Sequence, residues 1–85
     1  MVLVTVEFVK ADGTKGTSKF SEEFNNLMKP KEYAAYFQER TIDENSAATA
    51  SAVSVEITKH KENGEYLLDQ FGRRAWKTIY SADDQ

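Results

Sequence analysis

Asn63-Gly64 stands between two apolar runs, residues 53–61 and 65–70. Both residues tolerate positive φ, so the pair marks a β-hairpin and restricts which side chains share a face. Two loop lengths compete. A two-residue turn needs φ > 0 at both positions. A three-residue loop, Glu62-Asn63-Gly64, puts Gly64 in the left-handed position with a bulge. The longer loop is preferred because it sets Lys61 opposite Glu65 and Val55 opposite Phe71. It also sets Ile57 opposite Asp69, which counts against it.

The next turn contains Gly72. A three-residue loop ending there pairs Asp69 with Arg73, Tyr66 with Trp76 and Glu65 with Lys77. A two-residue Gly72-Arg73 turn pairs Asp69 with Trp76 instead. Charge matching favours the first, but it leaves Phe71 in the loop, in conflict with a Val55–Phe71 pair. A helix competes for the same residues, since Leu68, Phe71, Ala75 and Ile79 recur at near-helical spacing. Gly72 and the β-branched and aromatic residues of AWKTIY favour strand. Residues 53–80 are therefore read as a three-stranded antiparallel meander.

The N-terminal half is read from its alternation. Val2, Val4, Val6 and Phe8 interleave with Leu3, Thr5, Glu7 and Val9, the period of a strand. Asp12-Gly13 is turn chemistry. An Ala11-Asp12-Gly13 loop pairs Lys10 with Thr14, Val4 with Phe20, Val6 with Ser18 and Thr5 with Lys19. Gly16 inside the second strand suggests a bulge or an edge. Ser21 then reads as a helix N-cap before two acids. Phe24, Leu27, Met28, Tyr33 and Phe37 continue at helical spacing, and a helix is expected over residues 22–40, broken near Pro30. Residues 41–52, TIDENSAATASA, suit a loop, a short Ala-rich helix capped at Asp43, or the start of the third strand. A mobile connector is preferred. Residues 81–85 read as a frayed acidic tail.

At 85 residues the chain is expected to be one domain, residues 1–85, with an adequate but thin core. It has no cysteine, which suits a reducing, cytoplasmic setting and excludes thiolate chemistry. No apolar run is long enough to span a membrane, and the N-terminus lacks the pattern of a signal peptide. A net charge of −3 disfavours a dedicated nucleic-acid or anionic-membrane binder.

No chemistry-bearing constellation stands out. His60 is the single histidine, flanked by Lys59 and Lys61 beside a turn, with no nucleophile and orienting acid placed near it by sequence. The carboxylate pairs Glu22-Glu23, Asp43-Glu44 and Asp83-Asp84 are adjacent in sequence and so do not converge. The glycines do not form a phosphate-binding spacing. No catalytic residue, cofactor or metal site is assigned, and the chain is read as non-enzymatic. Leu67-Leu68 makes both faces of one strand apolar, as Leu3 and Val9 do for the first. A single helical layer covers one face only, so the other is closed by the sheet curling on itself, covered by a second protein, or left exposed; a contiguous apolar patch there would mark an interface.

The expected fold is α+β: an N-terminal hairpin, a broken helix and a C-terminal meander, ββα(α)βββ. The expected function is a non-catalytic protein-interaction module, such as a small regulator, inhibitor or subunit, with self-association as one route. The protein-binding residues are Tyr66, Arg73, Arg74 and Trp76, since Trp, Tyr and Arg dominate interface hot spots. The alternative is a single-stranded nucleic-acid binder that stacks bases on Tyr66, Phe71, Trp76 and Tyr80 and holds phosphates with Arg73, Arg74, Lys77, Lys59, Lys61 and His60.

Overall fold

Residues 1–82 are described by a computed structural model. Strands β1 (Val2–Lys10) and β2 (Lys15–Glu22) lead to helix α1 (Pro30–Asn45), then to β3 (Ala47–Thr58) and β4 (Trp76–Ser81). The four strands form one antiparallel sheet in the order β2-β1-β3-β4. The fold class is α+β, with α1 laid over the central strands β1 and β3.

The first hairpin has the expected register, with Val4 opposite Phe20, Thr5 opposite Lys19 and Val6 opposite Ser18. Its loop is closed by Lys10 N–H to Thr14 C=O (2.8 Å) and Gly13 N–H to Lys10 C=O (2.9 Å). The Asp12 carboxylate accepts the Thr14 N–H at 2.9 Å. That bond, with a second from the Thr14 side chain, holds the Asp12 carboxyl below its usual range. Gly16 lies on an edge strand in regular pairing with Phe8, without a bulge.

The alternation of β1 decides where the core forms. Val2, Val4, Val6 and Phe8 point toward α1 and are buried. The three valines meet Tyr33, Ala34 and Phe37 of the helix and Ala52 and Val55 of β3, while the Phe8 ring lies over Gly16 of β2. The outer face of the sheet carries Leu3, Thr5, Glu7 and Val9, paired with Thr17, Lys19, Ser54 and Glu56 among others. That face is mostly polar, so the expected two-sided apolar sheet is not built, and Leu67 and Leu68 do not belong to the sheet at all.

Three expectations for the middle of the chain are corrected. Ser21 and Glu22 complete β2 rather than starting a helix. The helix is single and unbroken, because Pro30 occupies its first turn, where the missing N–H leaves no bond unmade. Phe24 and Leu27 consequently lie before the helix and are exposed, not packed on the sheet. Glu32 secures the start by accepting the Lys29 N–H at 3.2 Å. At the other end Ser46 adopts φ 51° and its N–H reaches the Ile42 carbonyl.

Residues 41–52, expected as a connector, instead finish α1 and open β3. Small residues are needed there, since Ala47 and Ala52 are buried in the layer beneath the helix. Val53 is skipped in the pairing with β1, a β-bulge. Beside it the Ala52 N–H donates to Gln38 Oε1 at 2.8 Å, which ties α1 to the sheet. Of the expected tail, residues 81–85, Ser81 closes β4 and residues 83–85 lie outside the described residues.

Candidate functional site

The C-terminal meander takes a form that the sequence did not suggest. β4 pairs directly with β3, with Thr58 opposite Trp76 and Val55 opposite Tyr80. Residues 59–75 leave the sheet as an arm of two short hairpins. Both use the expected three-residue loops. The first is closed by Lys61 N–H to Glu65 C=O (2.8 Å) and Gly64 N–H to Lys61 C=O (3.0 Å). The second is closed by Asp69 N–H to Arg73 C=O (2.7 Å) and Gly72 N–H to Asp69 C=O (3.1 Å).

Each loop is also braced by a side chain. Asn63 Oδ1 accepts the Glu65 N–H at 3.1 Å. Asp69 Oδ1 accepts both the Phe71 and the Arg73 N–H at 2.9 Å.

The two registers, incompatible in one flat sheet, are reconciled at a three-way junction. Lys59 N–H donates to Ala75 C=O (2.9 Å), Ala75 N–H to Leu67 C=O (2.8 Å), and Leu67 N–H to Lys59 C=O (2.9 Å). Three chain segments thus close a ring of backbone hydrogen bonds. The middle segment pairs outward on both sides, Tyr66 with His60 and Leu68 with Arg74. The expected Val55–Phe71 and Tyr66–Trp76 pairs do not form.

No residue of the arm is buried. The molecule measures 48 × 30 × 24 Å, with a radius of gyration of 14.3 Å. A compact domain of this length has a radius of about 12 Å. Along the arm, Leu67, Leu68 and Phe71 are 38%, 54% and 74% exposed. Exposed apolar side chains that lie together as a contiguous patch mark contact surfaces.

The four predicted binding residues divide into different roles. Arg74 lies over the Tyr66 ring, 4.1 Å from its centroid, and its Nη1 reaches Met1 Sδ at 3.3 Å. His60 packs its ring on Tyr66 at 4.8 Å. Tyr66 and Arg74 therefore stiffen the arm. Arg73, exposed at the tip loop, has no side-chain partner among the described residues, so its charge is available. Trp76 sits past the junction, half-buried in β4. Leu68 and Phe71 carry most of the apolar exposure; Leu68 was singled out only as part of a strand apolar on both faces and Phe71 only among the aromatics of the meander, and neither is one of the four predicted protein-binding residues. Their signal is a pair of large apolar residues flanking Asp69-Gln70, too close to a tight turn to reach a core.

His60 is fixed by its neighbours: Nε2 lies 3.1 Å from Thr58 Oγ1 and Nδ1 lies 3.2 Å from the Gly64 carbonyl. Among the described residues no three His, Asp or Glu side chains converge as metal ligands. Among the described residues no helix is long and apolar enough to cross a membrane. A groove of about 500 Å³ beside the start of α1 is lined by Lys29, Pro30, Ile79 and Tyr80 among others. No family model, no curated protein and no solved structure matches the chain.

Gly64 adopts φ +88°. A β-branched residue is strained there by about 1–2 kcal/mol. Gly64→Val is expected to speed amide hydrogen exchange between Lys61 and Tyr66 while leaving the denaturation midpoint of the sheet in place. Unchanged exchange in the arm would show that the loop does not depend on the left-handed position.

Proposed function

We propose that this protein is a non-catalytic protein-interaction module, a small regulator, inhibitor or subunit, whose recognition element is the arm of residues 59–75. One observation carries the reading: the arm holds Leu68 and Phe71 in solvent beside the unpartnered Arg73, on a backbone fixed by braced loops and a closed junction. Preorganisation of this kind lowers the ordering cost of association. An apolar anchor beside an arginine is the chemistry of interface hot spots. A cytoplasmic setting belongs to the proposal, since a chain without cysteine loses nothing in a reducing compartment.

Phe71→Ser and Arg73→Ala are each expected to move folding stability by no more than about 0.5 kcal/mol, because neither side chain is packed. In parallel captures from cell extract, the parent chain is expected to retain a protein that the double variant loses. A captured partner that binds the double variant as tightly as the parent would sink the assignment. Oligonucleotide binding much tighter than about 10⁻⁶ M, falling steeply with salt, would instead favour the single-stranded nucleic-acid reading. The packed Tyr66 ring and the net charge of −3 speak against that outcome.

A further inference from the structure

The arm is not the only exposed apolar surface. On the β2 side of α1, Phe24, Leu27 and Tyr36 are 41%, 87% and 53% exposed. Phe24 and Tyr36 are grouped by the aromatic core beneath them, and Leu27 follows Phe24 in the segment that leads into α1. Phe24 stacks on Tyr33 at 6.2 Å, and Tyr36 meets Phe37 edge-on at 4.9 Å. Tyr33 and Phe37 are themselves stacked at 6.4 Å. Tyr36 also belongs to a stripe on the helix, Glu32, Tyr36, Glu39 and Asp43, which recurs at i, i+4, i+7 and i+11 and is exposed throughout. Glu23 immediately precedes Phe24. Glu23, Glu39 and Asp43 have no hydrogen-bond or ion-pair partner among the described residues. The patch is therefore apolar at its centre, and its border is mixed in sign but net acidic: Glu23, Glu32, Glu39 and Asp43 outnumber Lys29 and Lys31, and Arg40, beside Tyr36, is ion-paired with Glu44 at 2.9 Å.

The arm has the opposite pattern. Its exposed Leu68 and Phe71 are accompanied by Lys59, Lys61, Arg73 and Arg74. Of its three acids, Asp69 already accepts two backbone N–H groups. Within one molecule the two surfaces do not meet. The arm grows from the β3–β4 side of the sheet and the patch follows β2, with three strand spacings, about 14 Å, from β2 to β4. No hydrogen bond, ion pair or ring contact joins Phe24, Leu27 or Tyr36 to the arm. The junction fixes the arm where it stands.

We infer that the arm's partner is a second copy of this chain, which receives Phe71 and Leu68 on the patch formed by Phe24, Leu27 and Tyr36, with Arg73 facing Glu39 and Asp43. The inference rests on the arm being a recognition element, as proposed above, and adds the identity of what it recognises. Because donor and receiver are different surfaces, the contact is heterologous. Head-to-tail contacts of this kind close into rings or extend as open chains. The apolar area is small, so association is expected to be weak and reversible, and charge pairing makes it sensitive to salt.

Sedimentation equilibrium of the full chain tests this with three proteins. One is the parent, one carries Phe71→Ser with Arg73→Glu, and one carries Tyr36→Gln with Glu39→Lys. The parent's average mass is expected to rise well above 9.6 kDa with concentration and to fall back on adding salt. The arm variant is expected to melt like the parent and the patch variant slightly lower, through the lost Tyr36–Phe37 edge contact, with both still folded and each associating at least tenfold more weakly. An equimolar mixture of the two retains one competent arm and one competent patch. It is expected to reach twice 9.6 kDa and to stop there. A parent that stays monomeric at its highest concentration overturns the inference. So does a patch variant that self-associates as well as the parent, or a mixture that remains monomeric. A monomeric parent whose arm still captures another protein would overturn this inference alone and leave the proposed function standing.

Discussion

Phe37→Ala is expected to lower folding stability by about 3–5 kcal/mol, the range for removing a buried aromatic ring. Phe37 is fully buried and sits inside a run of four near-parallel rings. Phe20 stacks on it at 4.8 Å, Tyr33 lies 6.4 Å away on the helix, and Phe24 stacks beyond Tyr33 at 6.2 Å. Tyr36 adds an edge contact at 4.9 Å, and the Arg40 guanidinium lies 5.1 Å over Phe20.

One helix covers the inner face of the sheet, so no second layer can move in to fill the space. A domain of 85 residues has a total stability of about 4–13 kcal/mol. The loss is therefore a large share of the whole, and the variant should unfold at far lower denaturant. A midpoint equal to the parent's would mean that α1 is not anchored through this stack. Phe37→Leu keeps most of the volume and should cost clearly less.

Gly16→Val is expected to cost about 1–3 kcal/mol, by overpacking rather than by strain in the backbone. Phe8 and Gly16 face each other across β1 and β2, and the phenyl ring lies over the glycine. A Cβ at Gly16 would clash with Phe8 Cζ and come within 2.9 Å of Cε1. The ring, 9% exposed, would have to swing out and lose its burial. A double-mutant cycle checks the cause. If Phe8 is first replaced by Ala, the added side chain at position 16 should cost little, giving a coupling of about the size of the single effect. Additive effects would place the cost elsewhere.

These cases also show where sequence was informative. β1 and β2 were legible because strict alternation and a loop ending in glycine agree on one register. The core aromatics Tyr33 and Phe37 were legible from helical spacing. Phe24 and Leu27 were misplaced for the same reason: they continue that spacing N-terminally, but Pro30 starts the helix after them. The first half of β3 was opaque because Ala and Ser have low strand preference. It is extended because β1 offers it a ladder and α1 requires small side chains beneath it.

In the arm, local chemistry predicted each loop correctly, since Asn63, Asp69, Gly64 and Gly72 act within a few residues. What the loops do not encode is which strand lies beside β3. That choice is tertiary, and it sent Leu67 to a junction rather than to a sheet. Arg73 was singled out by residue type, and the structure leaves it exposed. Phe71 was placed opposite Val55 by one register and in the loop by the other, and the structure puts it in the loop, 74% exposed.

The ring of backbone bonds among Lys59, Leu67 and Ala75 has an evolutionary consequence. Its hydrogen bonds involve main-chain groups alone, so the identity of the side chains beyond it is of little concern to the sheet. Since Lys59 and Ala75 are already bonded to each other, β3 and β4 would remain neighbours whatever the intervening residues became. Substitutions or added residues in the two loops can therefore accumulate without the selection that guards the hydrophobic interior. Binding preference can drift while the architecture stays constant. Relatives that share the scaffold should differ most between positions 60 and 74.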